Sequence, residues 1–268
     1  MADTVPRGGT GNELTSIRKA LRLLKSFVEG KGIATVSDLA AAHRMPKSSV
    51  SRILRELSVE GFVAKNSERG DYRLGSELFR LGNVALHAMS IRQVAMAHMA
   101  KCAEKYGETV HLAILNESKD IISLEATPSS YNLRPDVHVG GRVQYHCTSV
   151  GKAIFAFLCD DDRRKILRSR RIKYTQNTIV DEKKLTKELR KIRAQGYAVD
   201  DMENENGVKC VGAPIFDKDD KVVAAISISG ASVRFSEEKI RSYAAAVMEA
   251  ARNISYELGS NKGTPNNI

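Results

Sequence analysis

TVSDLAAAHRMPKSSVSRILREL, residues 35–57, reads as two short helices with a turn between them. Thr35 and Asp38 stand at the spacing of a helix N-cap and an acid at the third helical position, so a helix starts there. Ala40 and Ala41 leave room for close packing. Pro46 cannot continue that helix, but it suits the first turn of the next. In the second helix Val50, Ile53, Leu54 and Leu57 fall at i, i+3, i+4 and i+7, a single apolar stripe. The opposite face carries Lys47, Ser48, Ser49, Ser51, Arg52 and Arg55, and no acid interrupts it before Glu56. A helix with an apolar back and a Ser/Arg/Lys front suits a major groove, where such side chains reach phosphates and base edges. By itself the pattern also fits an ordinary helical hairpin with a solvated face.

The downstream flank favours the DNA reading. Gly61–Lys65 reads as a strand, residues 66–70 as a turn, and residues 71–74 as the returning strand. Lys65, Arg69 and Arg73 would then lie on a wing beside the minor groove or backbone. With Thr35 and the front of the second helix they make up the candidate DNA-contacting set. Upstream, Ile17, Leu21, Leu24 and Val28, joined by Ala20 and Phe27, recur at helical spacing from Leu14 to Glu29, until Gly30 and Gly32 end the pattern. Residues 1–13 are polar and Gly-rich and read as a disordered tail.

Beyond the wing the pattern changes. A helix-like stretch at Leu78, Leu81, Val84 and Ala85 and a second helix from Ile91 to Tyr106 make a connector, with a linker helix assigned to residues 77–91. Strand-like alternation follows at Thr109–Leu115 and Ile121–Ala126, then helices at Val150–Leu158, Asp161–Arg171 and Asp181–Gln195. Two more strands, Val208–Ile215 and Val222–Ser229, precede a last helix from Ser236 to Leu258. The fold class is therefore α+β: a winged helix-turn-helix domain over residues 14–76, the linker helix, a second domain over residues 92–260, and a tail from 261 to 268.

Of 268 residues, 42 are Lys or Arg and 32 Asp or Glu, giving a net charge of +10. Residues 1–90 hold 14 and 9 of these, so half of the excess lies in the first third of the chain. The basic run from Arg163 to Lys173 follows Asp160, Asp161 and Asp162; acids at the first turn and bases at the last suit a helix dipole, so it reads as a solvated face. No apolar run reaches the roughly 18 residues of a membrane span, and the N-terminus lacks the apolar core of a secretion signal, so a cytoplasmic protein is expected. The cysteines Cys102, Cys147, Cys159 and Cys210 are widely spaced with no C-x-x-C, which disfavours disulfide and zinc frameworks; no metal or cofactor is expected.

The segments SIRKALRLLKSF, TVSDLAAAHRMPKSSVSRILRELSVEGFV, YRLGSELFRLG, GETVHLAIL, HCTSVGKAIFAFL, TIVDEKKLTKELRKIRAQGYAVDD, GVKCVGAPIFD and VVAAISISG, taken in order, resemble the IclR family of bacterial transcriptional regulators. The resemblance runs from about Ser16 to Gly259. It departs at Arg44, where the family usually has Gly in the helix-turn-helix turn. It implies a C-terminal GAF-like domain that binds a small effector, often an organic acid, and a dimer or dimer of dimers on a palindromic operator. Its pocket carries over onto Ser149, Val150, Asp200, Cys210, Ser227 and Ser229, with Leu133 and Val143 on the apolar side. At Ser149 and Val150 the family usually has smaller residues.

The residues support such a pocket independently. In VVAAISISG, alternation places Val223, Ala225, Ser227 and Ser229 on one face and the bulkier Val222, Ala224, Ile226 and Ile228 on the other. Small side chains leave room, and hydroxyls offer adaptable hydrogen bonds. If 208–215 and 222–229 pair as a hairpin, Cys210 comes near the serines. A helix starting near Thr148–Val150 would turn free N–H groups toward a carboxylate. The main rival is an enzyme: Ser149–Lys152 matches S-x-x-K, but no S-D-N and K-T-G partners follow, and G-x-S-x-G, H-E-x-x-H, Walker A and G-x-G-x-x-G motifs are absent. His111, His138 and His146 are too scattered to define a metal site. The expectation is a non-enzymatic, ligand-responsive regulator, a repressor or an activator, with repression favoured.

Overall fold

The computed structural model describes residues 11–29 and 32–261. Most of both expected tails falls outside them, but Gly11–Leu14 are already helical and the Asn261 N–H donates to the Asp220 carboxylate at 3.1 Å. The chain divides into two compact units between Ala88 and Met89.

The first unit runs α1 (Gly11–Glu29), β1 (Ile33–Ala34), α2 (Val36–His43), α3 (Lys47–Val59), β2 (Val63–Lys65), β3 (Tyr72–Leu74) and α4 (Ser76–Ala88). The strands form an antiparallel sheet in the order β1-β3-β2. Leu39 and Ala40 of α2, Val50 and Leu54 of α3, and Val63 and Tyr72 of the wing close a core with Leu23 and Phe27 of α1. The expected stripe on α1 is corrected here. Leu23 and Phe27 are fully buried, whereas Ile17, Leu21 and Val28 are exposed, because α1 is apolar on two faces and only one meets the core. Arg44 caps α2 at φ 50° and ψ 45°, the left-handed conformation that glycine adopts without strain.

The expected linker helix over residues 77–91 is broken. α4 ends at Ala88, Met89 takes an extended conformation, and α5 (Ser90–Tyr106) opens the second unit. There follow β4 (Thr109–Leu115), β5 (Ile121–Thr127), β6 (Arg142–Val143), α6 (Ser149–Phe157), α7 (Asp160–Leu167), α8 (Glu182–Gln195), β7 (Ala198–Asp201), β8 (Val208–Phe216), β9 (Val222–Ala231) and α9 (Glu237–Glu257). The six strands form one antiparallel sheet in the order β6-β5-β4-β9-β8-β7. α6 and α8 pack on one face and α5 and α9 on the other. Ala225 joins α6 residues Val150, Ala153 and Ile154 in the core, which puts the small-residue face of β9 under α6. The short edge strands β6 and β7 have no clear alternation in sequence and were not expected.

α7 is shorter than the sequence implies, stopping before Arg171, whose guanidinium donates instead to the Leu167 and Val180 carbonyls. Arg163 and Arg164 pair with Asp160 and Asp161 at 2.5 and 2.6 Å, so the acidic first turn partly neutralises the basic run.

Candidate functional site

On the first unit, Lys47, Ser48, Arg52 and Arg55 of α3 are exposed, and Ser49 and Ser51 are half-buried. The wing adds exposed Lys65, Arg69 and Arg73. Among the described residues none of these six Lys and Arg side chains forms an ion pair. The wing turn is shaped locally: the Asn66 side-chain oxygen accepts the N–H groups of Glu68 and Arg69 at 3.0 and 3.3 Å. Alternation along β3 buries Tyr72 and turns Arg73 outward. Thr35 differs from the rest of the expected set. Its hydroxyl donates to the Asp38 carboxylate at 2.6 Å and accepts the Asp38 N–H at 3.2 Å, so it closes a capping box.

The second unit holds a cavity of about 290 Å³ between the α6 face of the sheet and the 135–144 loop. Five neighbouring strands build its floor: Ser123 on β5, His111 on β4, Ser227 and Ser229 on β9, Cys210 on β8 and Asp200 on β7. Register aligns them, with His111 opposite Ser227, Ser229 opposite Cys210, and Cys210 opposite Asp200. Val143, Thr148, Ser149 and Val150 close the other side. Thr148 caps α6, accepting the Gly151 N–H at 3.0 Å and donating to the Gln144 carbonyl at 2.8 Å. The N–H groups of Ser149 and Val150, in the first turn, have no intrahelical partner and stand at the positive end of the helix dipole. Gly212 lets this turn come close to the sheet: a Cβ there would stand 3.1 Å from Ser149 Oγ.

Burial dominates the titration of the site. It pushes the Asp200 carboxyl up to about 7, although its Oδ1 accepts the Glu203 N–H at 2.7 Å. It also holds the Cys210 thiol well above its ordinary value and pulls His111 down to about 4, so this imidazole is neutral at physiological pH. Beside Asp200, the wholly buried Lys152 ammonium donates to the Glu203 carboxylate and, at 2.5 Å, to the Val199 carbonyl. The lysine of the S-x-x-K match is thus bound by Glu203 and the backbone of β7.

Of the expected effector residues, Val143, Ser149, Val150, Asp200, Cys210, Ser227 and Ser229 converge on this cavity. Leu133 does not; it is 67% exposed, and its carbonyl accepts a hydrogen bond from Arg234, which also pairs with buried Glu108 and stacks on Tyr131. Those contacts hold the start of the loop away from the cavity. Sequence reading missed His111, Ser123 and the Lys152–Glu203 pair. For His111 the signal was its parity with Thr109 and Ala113 along β4, which had no meaning until β4 was known to lie beside β9.

Comparison with known proteins agrees with the two units. The IclR helix-turn-helix domain matches residues 16–67, and the C-terminal domain of bacterial IclR transcriptional regulators matches residues 83–256. The HTH-type transcriptional regulator KdgR of Escherichia coli is 33% identical over 249 residues, covering 92% of this chain and 94% of that protein. The E. coli transcriptional repressor IclR is 29% identical, covering 96% and 93%. The crystal structure of the Thermotoga maritima IclR has a TM-score of 0.69 at 34% identity, covering 92% of this chain and 99% of that one. Domain matches in the same order, relatives aligned over nearly their full length and a shared fold place this chain in the IclR family of bacterial transcriptional regulators.

Proposed function

We propose that the chain represses transcription from a two-fold operator, and that a small organic acid bound in the β-sheet cavity controls its affinity for DNA. The carrying observation is the cavity itself: unpaired N–H groups of the α6 first turn, two serine hydroxyls and a carboxyl raised to about 7 meet in one enclosed space. Helix N–H groups favour a carboxylate, and protonated Asp200 donates to it. A non-enzymatic role fits a site whose lysine is bound by Glu203. Repression is the role named for relatives such as the E. coli IclR and AllR repressors, at 29% and 31% identity.

On the DNA side, α3 enters the major groove with Lys47, Ser48, Ser49, Ser51, Arg52 and Arg55, while Lys65, Arg69 and Arg73 of the wing reach the backbone; Thr35 holds α2 in place. One recognition helix spans few base pairs, so the chain acts as a dimer or dimer of dimers on a palindrome. The outer apolar face of α1 (Ile17, Leu21, Val28) and Phe79 and Val84 of α4 supply surface that a second copy would cover. Ligand controls affinity only if it binds the two states unequally.

The test is operator retardation with and without ligand. Ser227→Ala with Ser229→Ala should bind operator as wild type and lose the ligand response. Wild-type ligand affinity in that double variant, measured by calorimetry, would displace the pocket.

A further inference from the structure

Building on the cavity as an acid site, we infer that the effector is a hydroxy acid whose hydroxyl lies several bonds from its carboxylate, and that His111 and Ser123 recognise that hydroxyl. Both residues line the cavity, are 8% and 3% exposed, and are joined through His111 Nε2 and Ser123 Oγ at 2.8 Å. The other ring nitrogen, Nδ1, has no protein partner among the described residues. One imidazole and one hydroxyl together present both a donor and an acceptor, the complement of an alcohol. They do not suit a carboxylate, which only accepts, and the imidazole stays neutral well below physiological pH.

Sheet register separates this pair from the carboxylate end. Ser149 stands over Gly212 of β8; Gly212 faces Ser227 of β9, and Ser227 faces His111 of β4. Gly212 and His111 are thus two strand spacings apart, about 9.6 Å. Allowing ~2.8 Å for a hydrogen bond at each end leaves roughly 4 Å or more between the ligand's own polar atoms. An α-hydroxy acid, whose hydroxyl sits against its carboxylate, is too short. A cavity of about 290 Å³ lies at the lower edge of the ~300–1,000 Å³ typical of small-molecule sites, and so takes a longer acid.

The test is calorimetry on the full chain with matched probes: 5-hydroxypentanoate against pentanoate, 4-hydroxyphenylacetate against phenylacetate, and lactate as the short acid. Wild type should bind each distal hydroxy acid about tenfold or more tighter than its partner, because the partner leaves a buried polar pair unmet. Lactate should bind more weakly than 5-hydroxypentanoate. His111→Leu should bring the ratio to about one while still binding the deoxy acids. Should His111→Leu misfold, His111→Gln, which restores a donor and an acceptor, should keep part of the ratio, and Ser123→Ala should lower it. Equal affinities within each pair in wild type, or a ratio unchanged in the variants, would overturn the hydroxyl reader and leave the acid site standing. Failure of every acid to bind would overturn both.

Discussion

Lys152 and Glu203 form an ion pair inside the second unit, the lysine wholly buried and the glutamate 5% exposed. The pair ties the first turns of α6 to the segment that follows β7. Hydroxyls of Thr175 and Thr178 hold the same segment through the Met202 and Glu203 carbonyls at 2.7 and 2.6 Å. Asp200 fastens it from within through the Glu203 N–H.

Removing one member of a buried pair strands the other charge. Lys152→Met should therefore destabilise the protein by about 3–5 kcal/mol. Urea unfolding followed by circular dichroism measures this. A loss below 1 kcal/mol would mean that Glu203 is reached by water or carries a proton.

Asp200 sets a pH dependence. Its folded-state value, about 7, lies above the ordinary 3.8, so the folded protein holds this proton more tightly than the unfolded chain does. This group therefore disfavours the folded state progressively as pH rises from about 4 to about 7. A ligand carboxylate that accepts the Asp200 proton should bind more weakly above pH 7 than at pH 6. Asp200→Asn, which keeps a donor toward the ligand and an acceptor for the Glu203 N–H, should flatten that profile between pH 6 and 8.5 in calorimetric titrations.

Arg44 is the strained residue of the helix-turn-helix turn. Replacing it with glycine removes a left-handed penalty of roughly 1 kcal/mol, so Arg44→Gly should raise the stability of the first unit by about that amount in thermal denaturation. A lower midpoint would show that the Arg44 side chain makes contacts that outweigh its backbone strain.

Arg52 is exposed on the front of α3. Arg52→Ala should weaken operator binding by about 1–3 kcal/mol with the melting midpoint and ligand binding unchanged, as read by retardation at fixed salt. Unchanged operator affinity would remove Arg52 from the interface.

The sequence by itself determined the local elements and the chemistry each face carries. Val50 and Leu54 are buried and Arg52 and Arg55 exposed because a helix repeats every 3.6 residues. Ser227 and Ser229 share a face because a strand alternates. The Asp38 capping box, the wing and the Cys210–Ser229 pairing were legible for the same reason: they join residues close in the chain or across one hairpin. Tertiary structure decided which faces meet. It chose Leu23 and Phe27 over Ile17, Leu21 and Val28, held Leu133 outside the cavity through Arg234, and set β4 beside β9 so that His111 faces Ser227. It also joined Lys152 to Glu203 across 51 residues of chain. Local periodicity cannot reach such choices, since they depend on long-range packing and on which apolar face finds a partner.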